Sequence, residues 1–331
     1  MKMAAIATAI TTTLVSGSAL AAEVYSSDGT SLNIGGRVEF RGDFLGESSG
    51  AELEGSMDNK SRFRVNVGGN TQITNELSGF GFYEAEQAVI SSGDNDPNTS
   101  FTQRYLYAGL SGNFGAVSFG RQDTALVQLS QMSDIGTYTG AQKSFIDAGN
   151  EQINNNIVYA GMFAGDALSL KANAILSSQK DQNSYGLSGI YTLPMGLGIG
   201  LGYAAGDQWL FAPAAETSQF MGGLNYTVGQ FYVAGTYTQG KIKVSTGDVN
   251  FTGYEFAGQY KFDRGFVAQA AYGKQQADES PTNSSDEEFN NYVELTGKYY
   301  FNSSIQSYLS YKYNMLKDAD NSLRLGLRYD F

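Results

Sequence analysis

Alternation of apolar and polar residues along most of the chain is the feature that most limits how this sequence can fold. In residues 31–44 the two parities, even-numbered and odd-numbered positions, differ in character. The even positions include the apolar residues Leu32, Ile34, Val38, Phe40 and Phe44, and the odd positions include the polar residues Asn33, Arg37, Glu39, Arg41 and Asp43. Successive side chains of a strand point to opposite faces. This segment is therefore predicted to be a strand with one apolar face and one charged face.

The same period recurs to the last residue of the chain, where Leu323, Leu325, Leu327, Tyr329 and Phe331 share a parity. Segments of about ten residues, apolar outward and polar inward, are typical of transmembrane strands. Sixteen such strands are predicted, at residues 31–44, 61–73, 77–87, 101–111, 114–121, 152–163, 167–177, 184–191, 196–205, 218–226, 231–239, 253–262, 266–275, 291–301, 305–314 and 322–331.

The connections between these strands alternate between short turns and longer polar loops. Turns of a few residues, such as 74–76 and 302–304, alternate with loops such as 45–60, 122–151 and 240–252. An up-and-down barrel has this asymmetry, and an even number of strands lets the sheet close, so that no backbone group stays unpaired in lipid. The predicted fold is all-β: a closed, antiparallel transmembrane barrel of sixteen strands, wide enough for an aqueous channel.

The first residues have a different pattern. Lys2 is followed by a mostly apolar stretch, and Ala19-Leu20-Ala21 fits a small-x-small cleavage site. Residues 1–21 are predicted to be a secretory signal peptide that is cleaved after Ala21, and residues 22–331 a single barrel domain. Beyond the signal, no run of 18 or more apolar residues predicts a membrane helix.

Composition excludes several functions. The chain has no Cys and no His, so a disulfide framework, a thiol nucleophile and an imidazole base are all ruled out. We expect no catalytic residues, no metal site and no cofactor. The net charge of −12 argues against nucleic-acid binding, which requires clustered positive charge. The 22 Tyr and 20 Phe suit the aromatic girdles of membrane barrels.

Four stretches resemble the Gram-negative general porin family of trimeric, sixteen-stranded diffusion channels: Ala22–Gly29, Thr71–Gly81, Arg104–Leu110 with Phe119–Arg121, and Tyr329–Phe331. The match covers residues 22–121 and the carboxyl terminus, and is loose between them. The resemblance implies an outer-membrane homotrimer, in contact with lipid and lipopolysaccharide, that conducts ions and small hydrophilic solutes. It also implies that Tyr329 and Phe331 form the signal that the outer-membrane assembly machinery reads.

The resemblance further implies that the longest loop, 122–151, folds into the barrel and narrows the pore. The family's basic cluster falls on Arg37, Arg64 and Arg104, and parity adds Arg62 to the inward side. The complete predicted constriction contains five arginines and four acids: Arg37, Arg62, Arg64, Arg104, Arg121, Asp123, Asp134, Asp147 and Glu151. Opposed rows of charge would set the ion preference. Together with the net charge, the acidic loop predicts a mild preference for cations.

Several alternatives stay open at this point. The arginines could form salt bridges with Glu39, Glu84 or Glu86 in the barrel wall. The loop has Gly136–Gly140 where enteric members have Pro-Glu-Phe-Gly-Gly, so its inward fold and the facing acids are not fixed. The acidic run Asp286–Glu288 could bind divalent cations that bridge lipopolysaccharide phosphates. The channel could be a substrate-specific porin, with Tyr300 and Tyr308 in the lumen, or the barrel could be an adhesin. A barrel enzyme is disfavoured because there is no His.

Overall fold

A single antiparallel sheet that closes on itself contains about two thirds of the described residues. The computed structural model describes residues 21–88, 100–178, 182–208, 215–244, 247–278 and 287–331. The signal predicted at residues 1–21 lies outside these residues except for Ala21. Among the described residues, no helix combines the length and the apolar character needed to cross a bilayer.

Sixteen strands make up the barrel. In chain order β1 to β16 they are Thr30–Asp43, Arg62–Gln72, Leu77–Ala88, Thr102–Gly112, Gly115–Gln122, Ile153–Phe163, Leu168–Ile175, Ser184–Thr192, Leu197–Gln208, Ala215–Val228, Phe231–Val244, Gly247–Lys261, Phe266–Ala277, Glu287–Tyr300, Ile305–Asn314 and Ser322–Asp330. Each strand pairs with the next, and β16 pairs with β1 from Arg324↔Asp43 to Asp330↔Arg37. The predicted closed sixteen-strand barrel is confirmed.

The two chain ends meet on one edge of β1. An additional strand, Ala22–Ser27, pairs with residues 30–34 of β1, and β16 pairs with residues 37–43. Between them, Gly36 and Phe331 exchange two main-chain hydrogen bonds of 2.9 and 3.1 Å. The sequence did not predict this first strand, because all six of its residues are exposed and it has no apolar face. A second short strand, Asp58–Asn59, pairs with the loop end of β1.

Several strands extend further toward the long loops than predicted. Strands β10, β11 and β12 take up residues expected in loops, including most of the loop predicted at 240–252. Their loop ends carry cross-strand ion pairs, such as Lys243 to Glu216 at 2.8 Å and Lys241 to Asp248 at 3.6 Å. Strand pairing continues beyond the apolar band of the outer face, where the sequence has no outward apolar residues that would predict a strand.

The two faces of the sheet differ as the alternation predicts. On the outer face, many large apolar residues are exposed, for example Leu201 at 59% and Phe256 at 54%. On the inner face, Gln219, Thr238 and Glu255 are fully buried. An outward apolar band suits contact with lipid, and the polar side chains turn toward the interior.

Candidate functional site

A row of arginines lies on the inner face of strands β1, β2 and β4. Arg62 contacts Glu39 at 2.6 Å, and Arg104 contacts Glu84 at 2.8 Å. Arg64 contacts Glu84 at 3.3 Å and is bonded to Glu86. These are the wall salt bridges that the sequence left open as an alternative. The pairing follows from strand register, because β2 places Arg62 opposite Glu39 and Arg64 opposite Glu86.

Arg37 belongs to the same row and lies directly opposite Arg64. Glu86 bridges the two like charges, with its carboxylate 4.0 Å from the Arg37 guanidinium. Arg104 reaches the inner face through a bulge, since Glu84 pairs with Tyr105 and Ala85 with Gln103. Strict alternation could not place Arg104, because Leu106 on its parity is 52% exposed on the outer face.

The segment between β5 and β6, residues 123–152, contains one turn of helix, α1 (Val127–Ser130), and two 3₁₀ turns, Ala141–Lys143 and Asp147–Gly149. Its apolar side is fully buried: Leu126, Leu129 and Ile146 pack against inward side chains of β9 to β12, among them Met221 and Phe251. The sequence contains an indication of this helical turn, because Leu126 and Leu129 are three residues apart and lie on the same side of a helix.

Two buried carboxylates, on β12 and β14, hold the polar tip (residues 133–140) of this segment. Glu255 accepts hydrogen bonds from the Ser133 hydroxyl at 2.7 Å and from the Gly140 main-chain N–H at 2.8 Å. Glu294 accepts from the main-chain N–H groups of Thr137 at 2.7 Å and Tyr138 at 3.1 Å. Both carboxylates have a parity that predicts an inward direction, but their partners are more than 100 residues away and could not be read from the sequence.

Arginine donors complete the attachment of the tip. Arg41 and Arg324 both donate to the Thr137 carbonyl oxygen, at 3.0 and 2.7 Å. Arg324 also makes a two-pronged ion pair with Asp43, at 2.6 and 2.8 Å. The neighbouring strands β1 and β16 thus contact the same peptide group of the segment.

The predicted acids of the segment separate into two groups. Asp134 and Glu151 both pair with Lys143, at 3.2 and 3.4 Å. Burial alone would lower the pKa of Lys143, but these two carboxylates outweigh it and raise that pKa. Asp123 instead accepts from the Tyr105 hydroxyl at 3.0 Å, and burial followed by repulsion from Glu151 raises the pKa of Asp123.

Two predicted constriction residues lie away from the arginine row. Asp147 begins the second 3₁₀ turn, and burial raises its pKa. Arg121 shares the parity of Phe119, which is 53% exposed on the outer face. It pairs with outward-facing Leu106, and directly paired residues share a face of the sheet. Arg121 donates to Asn154 at 3.1 Å and is therefore an outer-face residue.

Two cavities meet between the segment and the arginine row. One, of about 560 Å³, lies on the side of the long loops, and the other, of about 440 Å³, lies on the side of the short turns. Four residues line both cavities: Arg41, Arg62, Thr137 and Thr139. Six of the nine predicted residues line the turn-side cavity: Arg37, Arg62, Arg64, Arg104, Asp134 and Glu151.

Basic side chains dominate the lining of the turn-side cavity. Eight are present: Arg37, Arg41, Arg62, Arg64, Arg104, Lys143, Lys298 and Arg328. Within the described ranges, all except Arg41 and Lys298 pair with a carboxylate within 4.0 Å. Among the described residues no group of three or more potential ligands could hold a metal ion. The arrangement is one of charged walls around open space, suited to the passage of hydrated solutes.

Comparison with solved structures identifies the fold. The chain resembles the OmpF complex with daunomycin from Salmonella typhi, with a TM-score of 0.80 and 18% identity over 94% of this chain and all of that one. The trimer form of OmpT from Vibrio cholerae gives a TM-score of 0.70 at 20% identity, over 92% of this chain and all of that one. At these identities the likeness establishes the shared barrel fold.

Sequence comparison establishes the family. The Gram-negative porin family model matches residues 4–319. Porin-like protein L of Photobacterium profundum is 33% identical over 98% of each chain, and outer membrane protein U of Vibrio parahaemolyticus is 30% identical over the whole of both. Outer membrane porin C of Enterobacter cloacae is 26% identical, also over both full lengths. The chain therefore belongs to the Gram-negative porin family and is a β-barrel protein of the outer membrane.

Proposed function

We propose that the barrel is a water-filled channel through which ions and small hydrophilic solutes diffuse passively. The observation that carries this proposal is the pair of cavities that meet at Arg41, Arg62, Thr137 and Thr139 inside a closed sheet. Their walls are polar and charged, which favours hydrated solutes over lipid. Porins related to this chain are channel proteins, and the lack of His removes the usual hydrolytic machinery.

In this proposal, residues 123–152 fold into the lumen and set its narrowest width. The contacts of Thr137 with Arg41, Glu294 and Arg324 support it, because these three side chains come from β1, β14 and β16. Near the junction where the two cavities meet, the acids Asp134 and Glu151 share the turn-side cavity with the arginine row. A passing solute would experience a transverse electric field between them.

The proposed ion preference is mildly cationic. Most basic groups in the turn-side cavity are paired with carboxylates, so their fields largely cancel at a distance. The excess negative charge of the chain, −12 overall, then raises the local concentration of cations near the channel mouths at low ionic strength. This preference should weaken as salt is added, because screening shortens the reach of the excess charge.

Swelling of protein-containing liposomes tests passive diffusion directly. Isotonic sugars of increasing size are expected to enter at rates that fall steadily with molecular size and do not saturate with concentration. Saturating entry of one sugar alone would instead indicate a substrate-specific porin. The structure gives that alternative little support, because the Tyr308 hydroxyl donates to Glu39 at 2.7 Å and its ring is 6% exposed. Failure of every solute to enter would favour a closed barrel such as an adhesin.

The proposal includes export, assembly and oligomerisation. Cleavage after Ala21 would place the strand Ala22–Ser27 at the start of the mature protein. In the barrel this strand pairs with β1, on the same edge that β16 occupies. The mature protein would form a homotrimer in the outer membrane, in contact with lipopolysaccharide.

Of the acidic run Asp286–Glu288, Asp286 lies outside the described residues, and Glu288 pairs with Lys274 at 2.6 Å. Mass measurement of the mature amino terminus and cross-linking in outer membranes test cleavage and trimer formation.

We expect Phe331→Ala to reduce outer-membrane levels of the protein severalfold. The ring of Phe331 stacks near Phe63 with centroids 6.5 Å apart, but its main-chain bonds to Gly36 do not need the ring. The defect should therefore be one of recognition by the assembly machinery. Membrane fractionation measures it, and refolding of the same variant into detergent is the control. Equal losses in cells and in refolding would assign Phe331 a structural role instead.

A further inference from the structure

We propose that the loop-side cavity is a binding site for small organic solutes that carry a phosphate group. Five basic side chains and one carboxylate, Glu86, line it: Arg41, Lys60, Arg62, Lys312 and Arg324. Its volume of about 560 Å³ lies within the range of small-molecule sites. Lys60, Arg62 and Arg324 are paired with carboxylates, so the uncompensated positive charge of this cavity comes from Arg41 and Lys312.

Two of these basic groups have no carboxylate within ion-pairing distance among the described residues. Lys312 is 6% exposed, and its ammonium donates to the Ser48 carbonyl oxygen at 2.8 Å. It also lies over the rings of Tyr138 and Tyr292, at 5.6 and 4.9 Å from their centroids. A buried cation without a counter-charge is costly, and a bound anion would remove that cost.

Arg41 is the second group without a counter-charge in the described part of the chain. One of its terminal nitrogens donates to the Thr137 carbonyl oxygen, and its buried Nε has no hydrogen-bond partner. A guanidinium has five N–H donors, and the terminal nitrogens of Arg41 make one hydrogen bond, to Thr137, among the described residues. Planar donors of this kind match phosphate oxygens in pairs.

Arg324 acts as the support of the site. Its donors are occupied by Asp43, by the Ser48 hydroxyl at 2.6 Å and by the Thr137 carbonyl oxygen at 2.7 Å. It thereby connects Ser48, the contact of Lys312, with Thr137, the contact of Arg41. The two unpaired cations are thus held in one cavity by a shared residue that uses four of its five donors.

The remaining lining favours an organic phosphate over inorganic phosphate. Tyr138, Phe289 and Leu316 provide apolar surface on the cavity wall, while Ser49 and Asn290 provide polar groups. A sugar or similar moiety could lie against these residues while its phosphate contacts Arg41 and Lys312. Solutes of this class would pause in the cavity before the narrow junction.

Titration calorimetry on the detergent-solubilised protein at low salt tests the site without requiring conduction. The probes are glucose 6-phosphate, inorganic phosphate and glucose. Glucose 6-phosphate is expected to bind most tightly. Lys312→Gln and Arg41→Gln should each weaken its binding about tenfold, the equivalent of one charge-assisted hydrogen bond. Lys312→Arg should retain binding, which separates loss of charge from loss of folding.

Lys241→Gln is the matched control, because Lys241 pairs with Asp248 and lies outside both cavities. It removes one positive charge from the same side of the barrel and should leave binding unchanged. Equal affinity for inorganic phosphate and glucose 6-phosphate would overturn the organic-ligand assignment. Absence of binding, or binding that survives both Lys312→Gln and Arg41→Gln, would overturn the site itself. Neither result would affect the proposed channel, which liposome swelling tests independently.

Discussion

Replacing Glu294 with alanine is expected to release the tip of residues 123–152 and give larger, fluctuating single-channel currents. Glu294 is 1% exposed and is the acceptor for the main-chain N–H groups of Thr137 and Tyr138. Hydrogen bonds to a charged acceptor contribute about 1.5–3 kcal/mol each. Without them the tip would leave its position beside Arg41 and Arg324, and the junction between the two cavities would widen.

The measurement is current amplitude and open-channel noise in planar bilayers at constant voltage. Glu294→Gln should give an intermediate result, since the amide oxygen accepts one of the two N–H groups while its NH₂ opposes the other. Glu216→Gln is the control, because Glu216 is an exposed acid that pairs with Lys243 at the loop end of β10. Quiet currents of wild-type amplitude from folded Glu294→Ala channels would mean that the tip does not set the channel width.

Replacing Arg104 with glutamine is expected to destabilise the barrel and shift its ion preference further toward cations. Glu84 is 2% exposed and, within the described part of the chain, would keep only Arg64, at 3.3 Å, as an ion-pair partner. Removing one member of a buried pair costs about 3–5 kcal/mol. The loss here should fall at or below the lower end, because the Arg104 side chain is 20% exposed and water compensates part of the charge.

The double variant Arg104→Gln, Glu84→Gln separates the pair from its individual charges. We expect it to recover most of the stability, since no uncompensated carboxylate remains, and to return the reversal potential close to that of the wild type. Denaturant unfolding in detergent and reversal potentials in a KCl gradient, measured also on the single variant Glu84→Gln, form a double-mutant cycle. Equal destabilisation of the single and double variants would show that Arg104 acts through packing rather than through the Glu84 ion pair.

Periodicity is sufficient to predict the barrel because each transmembrane strand must be apolar on one side and polar on the other. Leu32 and Arg37 lie on opposite faces of β1, as their parity requires. The prediction fails where lipid no longer imposes the pattern. The additional strand Ala22–Ser27, which precedes β1, has no apolar face. The loop ends of β10 to β12 are held by ion pairs beyond the membrane band.

The candidate site was predictable only in part, for two physical reasons. A bulge changes the face on which a residue lies, and one such bulge turns Arg104 inward. Arg121 stays outward with Phe119 by plain alternation. Other contacts depend on closure of the sheet, which brings Glu255 and Glu294 to a segment more than 100 residues away in the sequence. Parity gives the direction of such a carboxylate but not its partner.

Planar-bilayer recording of the refolded protein, residues 22–331, across a KCl gradient tests the central claim most directly. An open trimeric channel with a narrowed, charged lumen should give current steps in groups of three. Its reversal potential should modestly favour K⁺, and that preference should weaken as the salt concentration rises on both sides. Barrels that are demonstrably folded but produce no current steps would contradict the account, because the two cavities would then not form a continuous aqueous path.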